Sequence, residues 1–284
     1  MEIIPILLIV LICAFLLLGY PVAFTLAGTS ILFALLGITM DFFDPNLFKT
    51  LPMRIFGIMN NQTLLAVPLF VFMGVILERS GIAAKMLRDM AIVFKNTNSG
   101  LSISIIIVGA LLAASTGIVG ATVVTMGLMS LPAMLKQGYD KDFAAGLVAS
   151  TGTLGQIIPP SIALVLLGDV MSNAYQRAQN NMGIFSQETV SVGDLFVGAI
   201  VPGIMIVVGY LIYTVVINRK KEFFLIEEIE GEANILKTLL PPAILIFVVL
   251  GSIIAGIATP TEAAGVGAFG ALIIAGLNSL SLIH

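Results

Sequence analysis

Charge is what this chain has least of. Only 10% of its 284 residues are Asp, Glu, Lys or Arg, 58% are hydrophobic, and mean hydropathy is +1.10. Soluble domains carry about 25% charged residues, so the composition excludes a cytosolic enzyme and a disordered tail and places the chain in a lipid bilayer. The 13 Lys and Arg against 16 Asp and Glu give a net charge of −3. That leaves no basic stripe to neutralise phosphates and excludes a nucleic-acid binder. One cysteine, Cys13, excludes an intramolecular disulfide and a cysteine-based zinc site. The single histidine, His284, is the terminal residue, where no architecture would hold a catalytic or metal-binding imidazole, and it reads as disordered.

What the chain does have is long runs without charge, covering residues 3–40, 55–77, 96–135, 143–168, 195–218, 238–261 and 263–284. About 20 apolar residues cross about 30 Å of hydrocarbon, so these read as membrane segments of an all-α, polytopic integral membrane protein. The first run lacks a basic n-region and is far longer than a signal h-region, so it reads as retained. Gly19, Tyr20 and Pro21 interrupt it and predict one short helix before the break and another after it, because proline removes a donor and clashes with the preceding turn. The run at 96–135 is interrupted at Ser115–Gly120, which fits either two full spans or a re-entrant hairpin over 100–135. An arm from Gly100 to Ser115 reaches only about 22 Å at 1.5 Å per residue, so the tip is expected to stop inside the membrane.

Basic residues in short loops stay cytoplasmic. With the N-terminus outside and a reversal at Gly19–Pro21, all of the 13 basic residues except Lys49, Arg54 and Arg177 fall on the cytoplasmic side, whichever form 100–135 takes. Residues 79–95 set Arg79, Lys85, Arg88 and Lys95 beside Ile82, Met86, Met90 and Phe94 and predict an interfacial anchoring helix; 219–237, rich in Lys and Glu, predicts another. The expected division is scaffold helices and an interfacial arm over 1–99, half of a transport domain over 100–217, and a second arm helix with the start of another repeat over 218–284. That repeat sets Gly19-Tyr20-Pro21 beside Ala258-Thr259-Pro260, each proline followed seven positions later by glycine, at Gly28 and Gly267. In the topology above one copy turns inside and the other outside, the arrangement of an inverted-repeat transporter. The second copy is incomplete, so the chain is expected to be truncated or completed by another polypeptide.

Chemistry is expected where irregular backbone sits at membrane depth, since peptide groups there must be buried in protein or line a cavity. One such place is the hairpin centre, Ala114 to Thr125. The other is Ser150 to Ser161, where Pro159-Pro160 breaks the run at 143–168. Carbonyls freed near Gly152–Gly155, with the hydroxyls of Thr153 and Ser161, are neutral oxygens suited to a hard cation such as Na⁺. The same small residues also serve close helix packing, and that alternative stays open for each hydroxyl. No His, and no mid-membrane Lys or Asp, stands ready to activate Ser115 or Ser161 as a nucleophile, so the chain does not read as an enzyme.

The run Leu131-Pro132-Ala133-Met134-Leu135-Lys136-Gln137-Gly138-Tyr139-Asp140-Lys141, then Gly152-Thr153-Leu154-Gly155, Ile158-Pro159-Pro160-Ser161 and Thr259-Pro260-Thr261-Glu262-Ala263-Ala264, resembles the large permease subunit (DctM-like) of tripartite ATP-independent periplasmic (TRAP) transporters. The resemblance extends from about residue 3 to residue 275. It implies an elevator-type secondary transporter in the bacterial inner membrane, with re-entrant hairpins, broken helices and Na⁺ symport. It also implies a small membrane subunit and an extracytoplasmic solute-binding protein as partners, and a small organic anion such as a C4-dicarboxylate as substrate, with no organic cofactor. Carried residue by residue, it places substrate contacts on Ser115, Thr116 and Gly117, with Thr122 and Thr125 behind them. Sodium falls between Gly117 and Gly152, Thr153, Gly155 and Pro159. Gln156 stands where the family has an apolar residue and, with Ser161, joins the substrate candidates; Ile118 and Val119 stand where it has a serine-rich tip. The segment from Asn173 to Ser191, expected outside the membrane, is similar to the branch associated with mannitol and chloroaromatic compounds. The alternative function is a truncated or non-transporting scaffold or assembly subunit.

Overall fold

The computed structural model describes residues 3–184, 186, 188–219 and 233–280. His284 and the charged residues 220–232 of the second amphipathic stretch lie outside the described residues. Among the described residues every regular element is helical. The chain packs as two compact units, Met1–Asn60 and Asn61–His284.

In the first unit, α1 (Ile3–Leu16) and α2 (Val22–Thr39) are separated at the expected break. Gly19 turns with φ +82°, a left-handed conformation costly to any residue with a β-carbon, and Pro21 caps α2. The two helices pack on one another. A short 3₁₀ segment, Pro45–Thr50, begins where the Asp44 carboxylate accepts from the Asn46 amide at 2.9 Å, and leads into α3 (Leu51–Met59).

The second unit opens with α4 (Gln62–Arg79), capped by the Asn61 side chain, and α5 (Ile82–Val93). Next come α6 (Gly100–Thr116) and α7 (Val119–Lys136), joined by Gly117 and Ile118. Asp140 caps α8 (Lys141–Thr153), which tightens into one 3₁₀ turn, Leu154–Gln156, and stops. The chain resumes as α9 (Ile162–Asn181), α10 (Val192–Asn218), the short α11 (Ile235–Thr238), α12 (Leu240–Ile254) and α13 (Pro260–Leu280). Among the described residues five helices are long and apolar enough to cross a membrane: Val22–Thr39, Gln62–Arg79, Val119–Lys136, Val192–Asn218 and Pro260–Asn278. The proposed repeat has a local counterpart: like Pro21, Pro260 opens a helix after a turn with a left-handed glycine, Gly256 at φ +67°.

The core of this unit is α4 against α13. Ala66, Phe70, Met73 and Leu77 are buried on α4, and α13 offers Ala263, Ala264, Gly267, Ala268 and Ala271, whose small side chains let the backbones approach. The ends are tied by hydrogen bonds. Thr261 donates its hydroxyl to the Gln62 carbonyl, and Asn278 donates Nδ2 to the Ser80 carbonyl at 2.7 Å while accepting from Lys85 Nζ at 2.6 Å.

The amphipathic stretch at 79–95 does form a helix, but Ile82, Ala83, Met86, Leu87, Met90 and Ala91 are buried in protein, with α5 packed on α6. Its apolar face covers the hairpin. The segment from Asn173 begins inside α9, which continues unbroken to Asn181.

On α10, Thr214 and Asn218 lie one turn apart, both at 0% exposure, and among the described residues the Thr214 hydroxyl and both polar atoms of the Asn218 amide have no hydrogen-bond partner. Leaving a buried polar group unpaired costs about 1–3 kcal/mol. Thr214→Val, which keeps shape and drops the hydroxyl, is therefore expected to stabilise the purified protein by about 1 kcal/mol, read from reversible unfolding in detergent. A loss of stability would mean that this hydroxyl has a partner.

Candidate substrate and cation site

The hairpin turn and the helix break come together. Gly117 holds φ +59°, so α6 stops and α7 starts within two residues. Gln156, in the 3₁₀ turn after α8, donates Nε2 to the Gly117 carbonyl at 2.9 Å. The backbones are close enough to exclude side chains: a β-carbon on Gly155 would lie 3.0 Å from the Ala113 carbonyl oxygen, and one on Gly117 would lie 3.1 Å from Ile162. Gly152 packs on α7, where a β-carbon would meet Val123 Cγ2 at 2.3 Å and its backbone at 3.1 Å. Pro159 and Pro160, joined by a cis peptide, are buried, and Ser161 restarts the chain as the N-cap of α9.

The predicted hydroxyls are mostly engaged locally. Ser115 donates to the Leu112 carbonyl at 2.8 Å, Thr122 to Ile118 at 2.9 Å and Thr153 to Ser150 at 2.7 Å. Ser161 donates to the Gln156 carbonyl at 2.7 Å and accepts from the Leu164 amide. Thr116 is the last residue of α6. A hydroxyl that donates to backbone still offers lone pairs, so these oxygens can accept from a ligand or bind a cation, but they bring no free proton. The Leu154 carbonyl accepts from both the Ile157 and Ile158 amides, so both of its lone pairs are engaged.

The gathered set is thus Ser115, Gly117, Gly155, Gln156, Pro159 and Ser161 around the turn, with Gly152 as the packing contact behind it. Thr153 is exposed. Thr122 and Thr125 line a separate small space, together with Glu78, Ala83, Leu112 and Met126. Thr125 donates to a Glu78 carboxylate oxygen, which ties the return arm of the hairpin to α4. Sequence reasoning missed Glu78; its signal is that it is the acidic residue closing the uncharged run at 55–77.

The chemistry this geometry offers is electrostatic. Among the described residues no side chain caps α7, so the first amides of that helix point toward the turn without a side-chain acceptor. A helix N-terminus in this state favours an anion. Oxygen donors without thiolate, imidazole or a cluster of carboxylates suit a hard monovalent cation better than a transition metal; no group of three or more His, Cys, Asp or Glu gathers among the described residues.

Against known proteins, a family model described as the DctM component of the tripartite ATP-independent periplasmic transporter matches residues 9–282. The chain is similar to the C4-dicarboxylate TRAP transporter large permease protein DctM of Rhodobacter capsulatus, 34% identical over 79% of this chain and 51% of the relative. It is similar to the protein of the same name from Vibrio cholerae at 32% identity, over 95% of this chain and 55% of the relative. It is also similar to the sialic acid TRAP transporter large permease protein SiaM of Vibrio cholerae, at 28% over 81% and 51%. The chain spans about half the length of these curated relatives.

Proposed function

From this chain's membership of the DctM component family of tripartite ATP-independent periplasmic transporters, we propose that it acts as large permease in a sodium-coupled symporter that imports a small organic anion. It is a multi-pass integral protein of the bacterial inner membrane. The observation that carries the reading is the bond from Gln156 to the Gly117 carbonyl, because it locks the hairpin turn to the helix break and holds two sets of unwound backbone side by side.

In the proposed cycle Na⁺ binds oxygens of the Gly152–Pro159 segment beside Gly117. This organises the turn, and the amides that open α7, with the second N–H of Gln156 Nε2, then hold the carboxylate, while the Ser115 and Ser161 hydroxyls, which donate to backbone carbonyls, offer only lone pairs. Cation and anion together cross low dielectric at less cost than either alone. The loaded hairpin domain slides against a scaffold as an elevator. A small membrane subunit completes the scaffold, and an extracytoplasmic binding protein delivers the solute. An acid as solute is supported by the names of relatives that carry C4-dicarboxylate and sialic acid. A transport role without catalysis is supported by Ser115 and Ser161, whose hydroxyls donate to backbone carbonyls instead of to a general base.

The test is uptake of labelled organic acids into proteoliposomes holding the chain with its partner subunits. Uptake is expected to rise with an inward sodium gradient and to stop when the gradient is collapsed. Uptake indifferent to sodium would overturn the coupling.

A further inference from the structure

On the part of α8 and α10 away from the helix break, the start of α8 meets the end of α10. Tyr139 stacks on Phe143 at 6.0 Å, and Phe143 on Tyr213 at 6.4 Å. Beyond this aromatic contact the helices part and leave a groove of about 590 Å³. Gly146 and Gly209 give it width, since no atom lies within 4 Å of a β-carbon built on either. Its body is walled by Leu147 and Ile206, and Asp142 is the one charged residue among the described residues that line it.

The groove therefore has its charge at one end and a mostly apolar lining beyond it, where the Ser150 hydroxyl donates to the Leu147 carbonyl at 3.1 Å. The polar end is where charged residues mark the ends of the helices: Lys141, exposed, precedes Asp142, and Arg219 follows α10. Flanking the groove, α10 exposes Val201, Ile204, Met205, Val208 and Ile212, the face of a membrane helix that meets acyl chains.

We propose that this groove is a phospholipid site, selective for a headgroup carrying a primary ammonium beside its phosphate, as in phosphatidylethanolamine. An acyl chain fills the apolar body. The ammonium donates to the Asp142 carboxylate beside the Phe143 and Tyr213 rings, where cation–π attraction adds to the pairing, and the phosphate meets Lys141. Charge complementarity decides the occupant, because Asp142 at the mouth repels a purely anionic headgroup.

The test is native mass spectrometry of the 284-residue chain in mild detergent, offered equal amounts of phosphatidylethanolamine and phosphatidylglycerol with identical acyl chains. One phosphatidylethanolamine per chain is expected to be retained in preference. Gly209→Leu, which fills the groove from a position with open space around its β-carbon, should lower that retention about tenfold while unfolding at the temperature of the parent protein. Asp142→Lys should move the preference to phosphatidylglycerol. Equal retention of both lipids by the parent chain, or unchanged retention in Gly209→Leu, overturns the proposal. So does a second copy or another polypeptide that occupies the groove and is itself lost in Gly209→Leu.

Discussion

Gly152→Val is expected to cost about 3 kcal/mol of folding stability and to abolish transport, because overpacking a tight helix contact forces backbone movement. The contact is between α7 and α8, and a β-carbon at 152 meets Val123 Cα and N at 3.1 Å as well as its Cγ2 at 2.3 Å. A rotamer change can move the methyl group, but the backbone atoms yield only if the return arm of the hairpin lifts off α8. Gly198→Ala is the matched control: it is also helical, and nothing lies within 4 Å of its built β-carbon. There the lost glycine entropy should stabilise the protein by roughly 0.5–1 kcal/mol. The measurement is the difference in unfolding free energy between each variant and the parent. Equal effects at the two positions would show that residue 152 is not at a tight crossing.

Gln156→Met is expected to lower uptake about tenfold or more, with a smaller effect on global stability. Methionine matches the length of glutamine without its donor, so the Gly117 carbonyl, now partnered at 2.9 Å, is left without the amide. An unpaired buried acceptor costs about 1–3 kcal/mol, and here that cost falls on the turn that positions the amides of α7. Hydrogen exchange at Thr122–Val124 should speed up in the variant, because these are the first bonded amides of α7, Thr122 donating to the Ile118 carbonyl at 3.2 Å, and the turn before them is no longer held by the helix break. Gln156→Glu should not rescue uptake, since an ionised carboxylate has no proton to donate to the carbonyl. Unchanged exchange together with normal uptake would remove Gln156 from the mechanism.

How much of this was readable beforehand depends on whether the determinant is local. The breaks were legible because glycine and proline act on their own backbone: Gly117 follows the last residue of α6, α1 ends three residues before Gly19, and Pro159–Pro160 lie between the 3₁₀ turn and α9. The end of α8 itself, at Thr153, comes six residues before Pro159 and was not marked by it. What the hydroxyls do was not legible either, because Ser115, Thr122 and Thr153 each find a carbonyl three or four residues back, an option open to any serine or threonine in a helix. The partner of Thr125 was hidden as well, since Glu78 lies 47 residues away. The packing of α5 on α6 was not legible, because a face of Ile, Met and Leu looks the same whether lipid or another helix covers it. The union of α4 and α13 left no pattern at all: both helices are apolar around most of their circumference, so periodicity does not mark the packed face.

That union sets a timetable for biogenesis. The bonds from Thr261 to Gln62 and from Asn278 to Ser80 join residues 199 and 198 positions apart. At a synthesis rate of about 5–20 residues per second, α4 leaves the ribosome roughly 10–40 seconds before its partner helix. During that interval Phe70, Met73 and Leu77 must be shielded by lipid or by the insertion machinery, and the hairpin laid against α4 is assembled on a support whose other side is still unmatched.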